Sequence, residues 1–264
     1  MRTLKSPRPL VASLIGMIAL CLATPAARAD VLDNVVKAGV LKVAVVQDYP
    51  PFGSVGADMK PVGYDIDLAG LLARALGVQA ELVPVASANK IPYLVTGRAD
   101  VLLNIGRNEE RAKVVDFTQP YAPYSIGVFG PDDLKVAATA DLAGKSISVT
   151  RGSLEELVLT KAAPAGAEIR RYEDNNGTIA AFLAGQTQLI AVGNVVAATI
   201  LARSAGRKPQ QKFLLMNSPV CAAVNKGEAR LLERVNAALS QAKAGGGLNQ
   251  MALKWLNQPI PPGM

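Results

Sequence analysis

Apolar and polar positions along the chain switch repeatedly between two periods. "VLKVAVV", Val40 to Val46, is a β-branched apolar run of strand length. "YDIDLAGLLARALG" follows at helical spacing, with Asp65 near its start and Gly77 past its end, as expected of a helix with acid in its first turn and glycine at its stop. Strand "AELVPV", a short helix "NKIPYLVTG" stopped at Gly97 and strand "DVLLN" come next. From Leu142 the pattern starts afresh: strand "SISVT", a helix from Ser153, strand "EIRRY", helix "TIAAFLAG", strand "LIAV" and helix "VVAATILARS". A last strand, "VCAAV", leads to a helix from Ala229 to Lys243, to "GGG" at 245 to 247 and to a final helix ending near Trp255.

This alternation predicts an α/β protein with parallel sheet and helices on both faces, and the restart predicts two similar units. The C-terminal helices fit either unit. If the first takes them back, the chain crosses between units twice, near "YAPY" and near "NSP". Two crossings make a hinge.

The N-terminus changes the length to be explained. Arg2, Lys5 and Arg8 precede an uncharged run from Leu10 to Ala23, and then "TPAARAD" offers small residues at Ala27 and Ala29. This is a secretory signal pattern with cleavage expected after Ala29. The apolar run is shorter than the roughly 18 residues that cross a bilayer. Leu20 before Cys21 disfavours lipoprotein processing. Without the leader's four basic residues, 24 Lys+Arg face 21 Asp+Glu, which is no nucleic-acid footprint. Only Cys221 remains, so no internal disulfide is expected. Histidine is absent, which removes the commonest metal ligand and general base. No metal, cofactor or nucleic acid is implied.

In open α/β sheets ligands bind beyond the carboxyl ends of the strands, so the turns there hold the candidates. After the first strand, "QDYPPF" presents Asp48, Tyr49 and Phe52; Tyr49 offers a stacking face, and Phe52 is as well placed to cap the core. After "DVLLN", the turn "IGRNEER" brings Asn104, Gly106 and Arg111, whose planar fork matches a carboxylate. An exposed Arg111 paired with Glu109 or Glu110 is the bland alternative, worth about 0 to 1 kcal/mol. Thr150 closes "SISVT", and Gly152 and Ser153 follow, with Ser153 and Glu156 at capping-box spacing. Asn194 takes the matching place after "LIAV", where a helix cap is the rival role. "AGKS" at 143 to 146 is no phosphate loop: Thr139 stands where glycine is needed, and a strand follows.

The order "DYPPF … GYDIDLAGLLARALG … IP … GRADV … ERAKVVDFTQPY … RGS … GQ … LIAVGN … NKGE … KWL" resembles the periplasmic solute-binding proteins of polar amino-acid ABC transporters, over nearly the whole mature chain. The resemblance implies two α/β lobes on a two-segment hinge with a ligand cleft between them: lobe 1 as residues 30–122 plus 219–264, lobe 2 as 123–218, and 1–29 as signal peptide. It implies a periplasmic monomer that binds an amino acid or related carboxylate and hands it to a membrane permease. Arg111 matches the arginine that clamps the ligand α-carboxylate, Ser153 a position that helps hold it, and Tyr49 an aromatic that packs on the ligand. Asp48 beside it is a candidate amine contact. Three departures stand out. Asn194 replaces the aspartate that meets the α-ammonium. Gly106 replaces Thr or Ser five residues before the arginine, in a segment one residue shorter. Ser87 replaces an aromatic ahead of the "IP" proline. Together they point to a modified amino acid, or to a carboxylate with no free ammonium.

The alternative is a dehydratase-like enzyme on the same scaffold, with Asp48, Glu155 and Glu173 as its acid or base candidates. Their spacing does not favour it. A sensor or scavenger that meets no permease has the same sequence signature as a transport receptor.

Overall fold

The computed structural model describes residues 30–264, so the proposed signal peptide and its cleavage after Ala29 lie outside the described residues. In chain order the first elements are α1 (Val31–Ala38), β1 (Val40–Val45), the short ribbon β2 (Ser54–Val55) and β3 (Pro61–Val62), α2 (Tyr64–Leu76), β4 (Gln79–Pro84), α3 (Lys90–Val95), β5 (Val101–Ile105), α4 (Glu109–Ala112) and β6 (Val115–Ala122). There follow β7 (Ser125–Gly130), β8 (Ser146–Thr150), α5 (Leu154–Ala162), β9 (Glu168–Tyr172), α6 (Asn175–Leu183), β10 (Leu189–Gly193), α7 (Asn194–Arg203) and β11 (Gln210–Asn217). The chain closes with β12 (Val220–Asn225), α8 (Ala229–Ala244) and α9 (Gly247–Leu256).

Two five-stranded sheets organise these elements, in the orders β4-β1-β5-β12-β6 and β11-β7-β10-β8-β9. The chain leaves the first sheet after Ala122, enters the second at Ser125, and returns between Asn217 and Val220. The sheets are mixed where the sequence pattern predicts parallel ones. β12 runs antiparallel to β5 and β6, and β7 antiparallel to β10 and β11. The reason is the crossing itself. A βα unit delivers the carboxyl ends of its strands to the space between the sheets, whereas the first strand after each crossing starts in that space and runs away from it. β6, β7 and β11 lack a following helix and so lacked the alternating signal.

Local chemistry sets the helix ends. Gly77, left-handed at φ 74°, returns its N–H to Ala73 and Arg74 and stops α2. Ser153 Oγ accepts from Glu156 N at 3.1 Å to start α5, while the Glu156 carboxylate reaches back to Gly152 N at 2.6 Å, one residue earlier than a capping box requires. "AGKS" leads directly into β8. One apolar cluster runs through both units, from Val43 and Leu68 to Ile126 and Ile190, with a smaller cluster on the far face of each sheet. Among the described residues no helix is long and apolar enough to cross a membrane, and no His, Cys, Asp and Glu group is arranged to hold a metal. Cys221 is free and buried in β12.

A candidate ligand site between the two sheets

The carboxyl ends of β1, β5 and β8 converge on a small cavity of about 40 Å³. Of the residues named from the sequence, Tyr49, Ser87, Asn104, Gly106, Arg111, Gly152 and Ser153 line it. Lys90, Tyr124, Glu155 and Asn175 add polar walls, and Ser218 and Val220 sit where the chain returns to the first sheet.

Arg111 stands on the single turn of α4, whose start is fixed by Asn108 Oδ1 accepting from Arg111 N at 2.8 Å. The bland alternative fails here: Glu110 pairs instead with Lys113. The guanidinium donates Nη1 to Gly106 O and Nη2 to Gly152 O, both at 2.9 Å, and so joins the first sheet's turn to the second's. Two of its five N–H groups are thereby used, leaving three without a hydrogen-bond partner among the described residues. Burial draws its pKa down, and the nearby Glu155 charge opposes that shift.

The turns approach closely enough that two glycines are required. Gly152 is left-handed at φ 73°, and a Cβ there would lie 2.5 Å from the Ala88 Cα. A Cβ on Gly106 would meet Leu154 Cδ2 at 2.2 Å. The hydroxyl-bearing side chain that resemblance expects at Gly106 would therefore need Leu154 to shift.

Lys90, opening α3, donates Nζ to Asn104 O at 2.6 Å. Asn104 adopts φ 52°, and its N–H donates to Tyr121 Oη, which donates in turn to Asp65 Oδ1 at 2.7 Å. Burial lowers the Lys90 pKa to about 8, aided by the Arg111 charge, and raises that of the fully buried Asp65 to about 6. On the opposite wall Glu155, only 8% exposed, takes the hydroxyls of Tyr49 and Tyr124 on Oε1, and the two tyrosines also touch each other. Burial first, and then the Glu155 charge, drive both phenol pKa values up, so both remain donors. Tyr124 fits because Gly193 has no side chain: a Cβ there would lie 2.1 Å from the ring.

Five candidates named from the sequence do not line the cavity. Phe52 is fully buried, stacked beside Tyr49 and edge-on to Tyr64 and Tyr124, which is the core role. Thr150 lies behind the wall, where its Oγ1 bonds Asn175 Oδ1 and Thr178 Oγ1. The Asp48 carboxylate is occupied by Asn175, accepting from its backbone N at 2.7 Å and from Nδ2 at 2.9 Å. Asn194 Oδ1 accepts from Ser125 N at 3.1 Å. Glu173 pairs at the surface with Arg151.

Residues 41–258 match the family model of the bacterial extracellular solute-binding proteins, family 3. The chain belongs to that family. This family 3 protein is 28% identical over 232 residues to the L-cystine-binding protein TcyJ of Escherichia coli (strain K12), covering 87% of each chain. Its fold is similar to a mutant of ArgBP from T. maritima (TM-score 0.80, 27% identity, 86% of this chain and 99% of that one). It is also similar to the ancestral amino-acid-binding protein AncCDT-1, a precursor of cyclohexadienyl dehydratase (TM-score 0.79, 31% identity, 86% and 99%). Its relatives include L-cystine- and L-arginine-binding proteins and, over 44% of this chain, a cyclohexadienyl dehydratase of Pseudomonas aeruginosa.

Proposed function

We propose that this protein is the periplasmic receptor of an ABC importer and binds an amino acid or related carboxylate by closing two lobes around it. The observation that carries the reading is Arg111 lining the cavity and reaching from Gly106 O to Gly152 O, with three of its N–H groups making no other hydrogen bond among the described residues. Lobe 1 comprises residues 30–122 and 219–264, lobe 2 residues 123–218, and the hinge is the pair of segments joining the sheets. A carboxylate held by Arg111 and by the start of α5 touches both lobes and so stabilises the closed form over the open one. A permease then recognises closure. The protein acts as a monomer after cleavage behind Ala29.

Relatives that bind amino acids support the ligand class. The likeness to a dehydratase precursor keeps turnover worth measuring, because the cavity holds a buried carboxylate, Glu155. The reading adopted is binding without catalysis. Its test is a thermal-shift screen of residues 30–264 against amino acids, opines and simple carboxylates. A ligand at 100 times its Kd adds about 2.7 kcal/mol, so a few compounds should raise Tm clearly. No response from any carboxylate would refute the reading, and mass-spectrometric detection of a new product would replace it with catalysis.

A further inference from the structure

Glu155 is a buried carboxylate without an ion-pair partner. No salt bridge among the described residues includes it. Its Oε1 takes both tyrosine hydroxyls, and among the described residues no hydrogen bond is made to Oε2. Buried glutamates are rarely left in this condition, because an unpaired charge away from water is costly. The two cations that share the cavity are already committed: Arg111 to two carbonyls of the turns, and Lys90 to Asn104 O. Neither comes within salt-bridge distance of Glu155, although both sense its charge.

The surrounding charges bias the choice of guest. Arg111 and Lys90 stand against Glu155, Asp65 and Asp48, so the surroundings carry a net negative charge when all five are ionised. A simple monocarboxylate adds to that charge, whereas a zwitterion adds none. The geometry restricts the position too. Glu155 lies three residues beyond Gly152, whose carbonyl holds Arg111, so an anion gripped by Arg111 is brought beside the first turn of α5.

From this we propose that Glu155, through Oε2, receives the α-ammonium of a zwitterionic amino acid, and that Tyr49 and Tyr124 hold its carboxylate in place for the purpose. The proposal rests on the solute-binding reading and narrows it, since it selects free amino acids over the deaminated carboxylates that the departures at Gly106, Ser87 and Asn194 suggest from sequence. Asn194 is no substitute, because its side-chain oxygen already holds Ser125 N and it does not line the cavity.

The test is isothermal titration of the mature protein with L-glutamine, L-glutamate, L-arginine and L-cystine, each paired with its α-deaminated counterpart. Wild type is expected to prefer the amine-bearing member of the pair that binds by at least tenfold. Glu155→Gln keeps an oxygen acceptor for the tyrosines and removes the charge, so it should abolish that preference while the unliganded Tm confirms folding. A preference that survives in Glu155→Gln would overturn the proposal. So would equal binding of both members to wild type, which leaves the carboxylate reading standing if Arg111→Ala still removes it. Failure of every compound to bind would overturn this proposal, while the solute-binding reading falls only if the thermal-shift screen also finds no carboxylate ligand.

Discussion

Asp48 and Asn175 meet across the space between the two sheets, joined by a backbone hydrogen bond of 2.7 Å and a side-chain one of 2.9 Å. Asp48 follows β1 and Asn175 opens α6, so an anion of one unit sits at a helix N-terminus of the other, where its charge is favoured. Hydrogen bonds to charged groups contribute about 1.5 to 3 kcal/mol, and these exist only when the units are together. Asp48→Ala is therefore expected to weaken ligand affinity by about tenfold or more while changing the unliganded Tm little. Titration calorimetry and thermal unfolding on the same preparations check this; unchanged affinity would exclude the pair as a closing contact.

Gly106 and Leu154 supply a steric version of the same test. The Cβ of Gly106→Ala would press on Leu154 from the other unit, while leaving each unit intact when they are apart. Ligand affinity should fall, and adding Leu154→Ala should recover part of the loss. If the single variant binds like wild type, the two turns do not meet in the bound form.

The half-buried Lys90 and the buried Asp65 predict a pH response of known sign. Lys90 has a folded pKa of about 8 against 10.5 in the free side chain, so the unfolded chain holds more protons between those values and stability rises as pH climbs through them. Asp65, at about 6 against 3.8, works oppositely: the folded chain holds more protons from pH 3.8 to 6, and stability falls as pH rises through that window. Both groups are charged between about pH 6 and 8, where together they cost most. The Tm difference between Asp65→Asn and wild type should thus become more positive from pH 4 to pH 7. On the order of 2 kcal/mol would move Tm by about 4 to 8 °C in a chain of this size. A difference independent of pH would contradict the burial argument.

Much of the architecture is legible in the sequence because βα units announce themselves twice, once by strand composition and once by helix period. Strands such as "LIAV" and helices such as "YDIDLAGLLARALG" appear where their periodicity places them. "VDFTQPYA" and "QQKFLLMN" pair through the backbone with little apolar alternation, and so are seen only when their sheet partners are known. The same divide separates the site residues. Arg111, Gly152 and Ser153 lie in turns after strands, where position alone marks them. Lys90 reads as an ordinary charged residue ahead of a short helix, and only the Asn104 carbonyl beside its amine marks it as part of the cavity. Glu155 is named from sequence only as a candidate acid, one of two adjacent glutamates in a first helical turn; which of them is buried depends on Tyr49 and Tyr124 arriving from far along the chain. Asp48 and Asn194 are polar residues in the right turns whose hydrogen bonds go to the protein.

The account depends most on Arg111, and titration of a ligand found by the screen into wild type and Arg111→Ala tests it directly. Loss of the guanidinium should weaken every carboxylate ligand by at least about a hundredfold, the worth of a bidentate charged contact at roughly 3 kcal/mol, with the unliganded protein still folded. Affinity retained within about threefold, less than about 1 kcal/mol, would show that the carboxylate is held elsewhere.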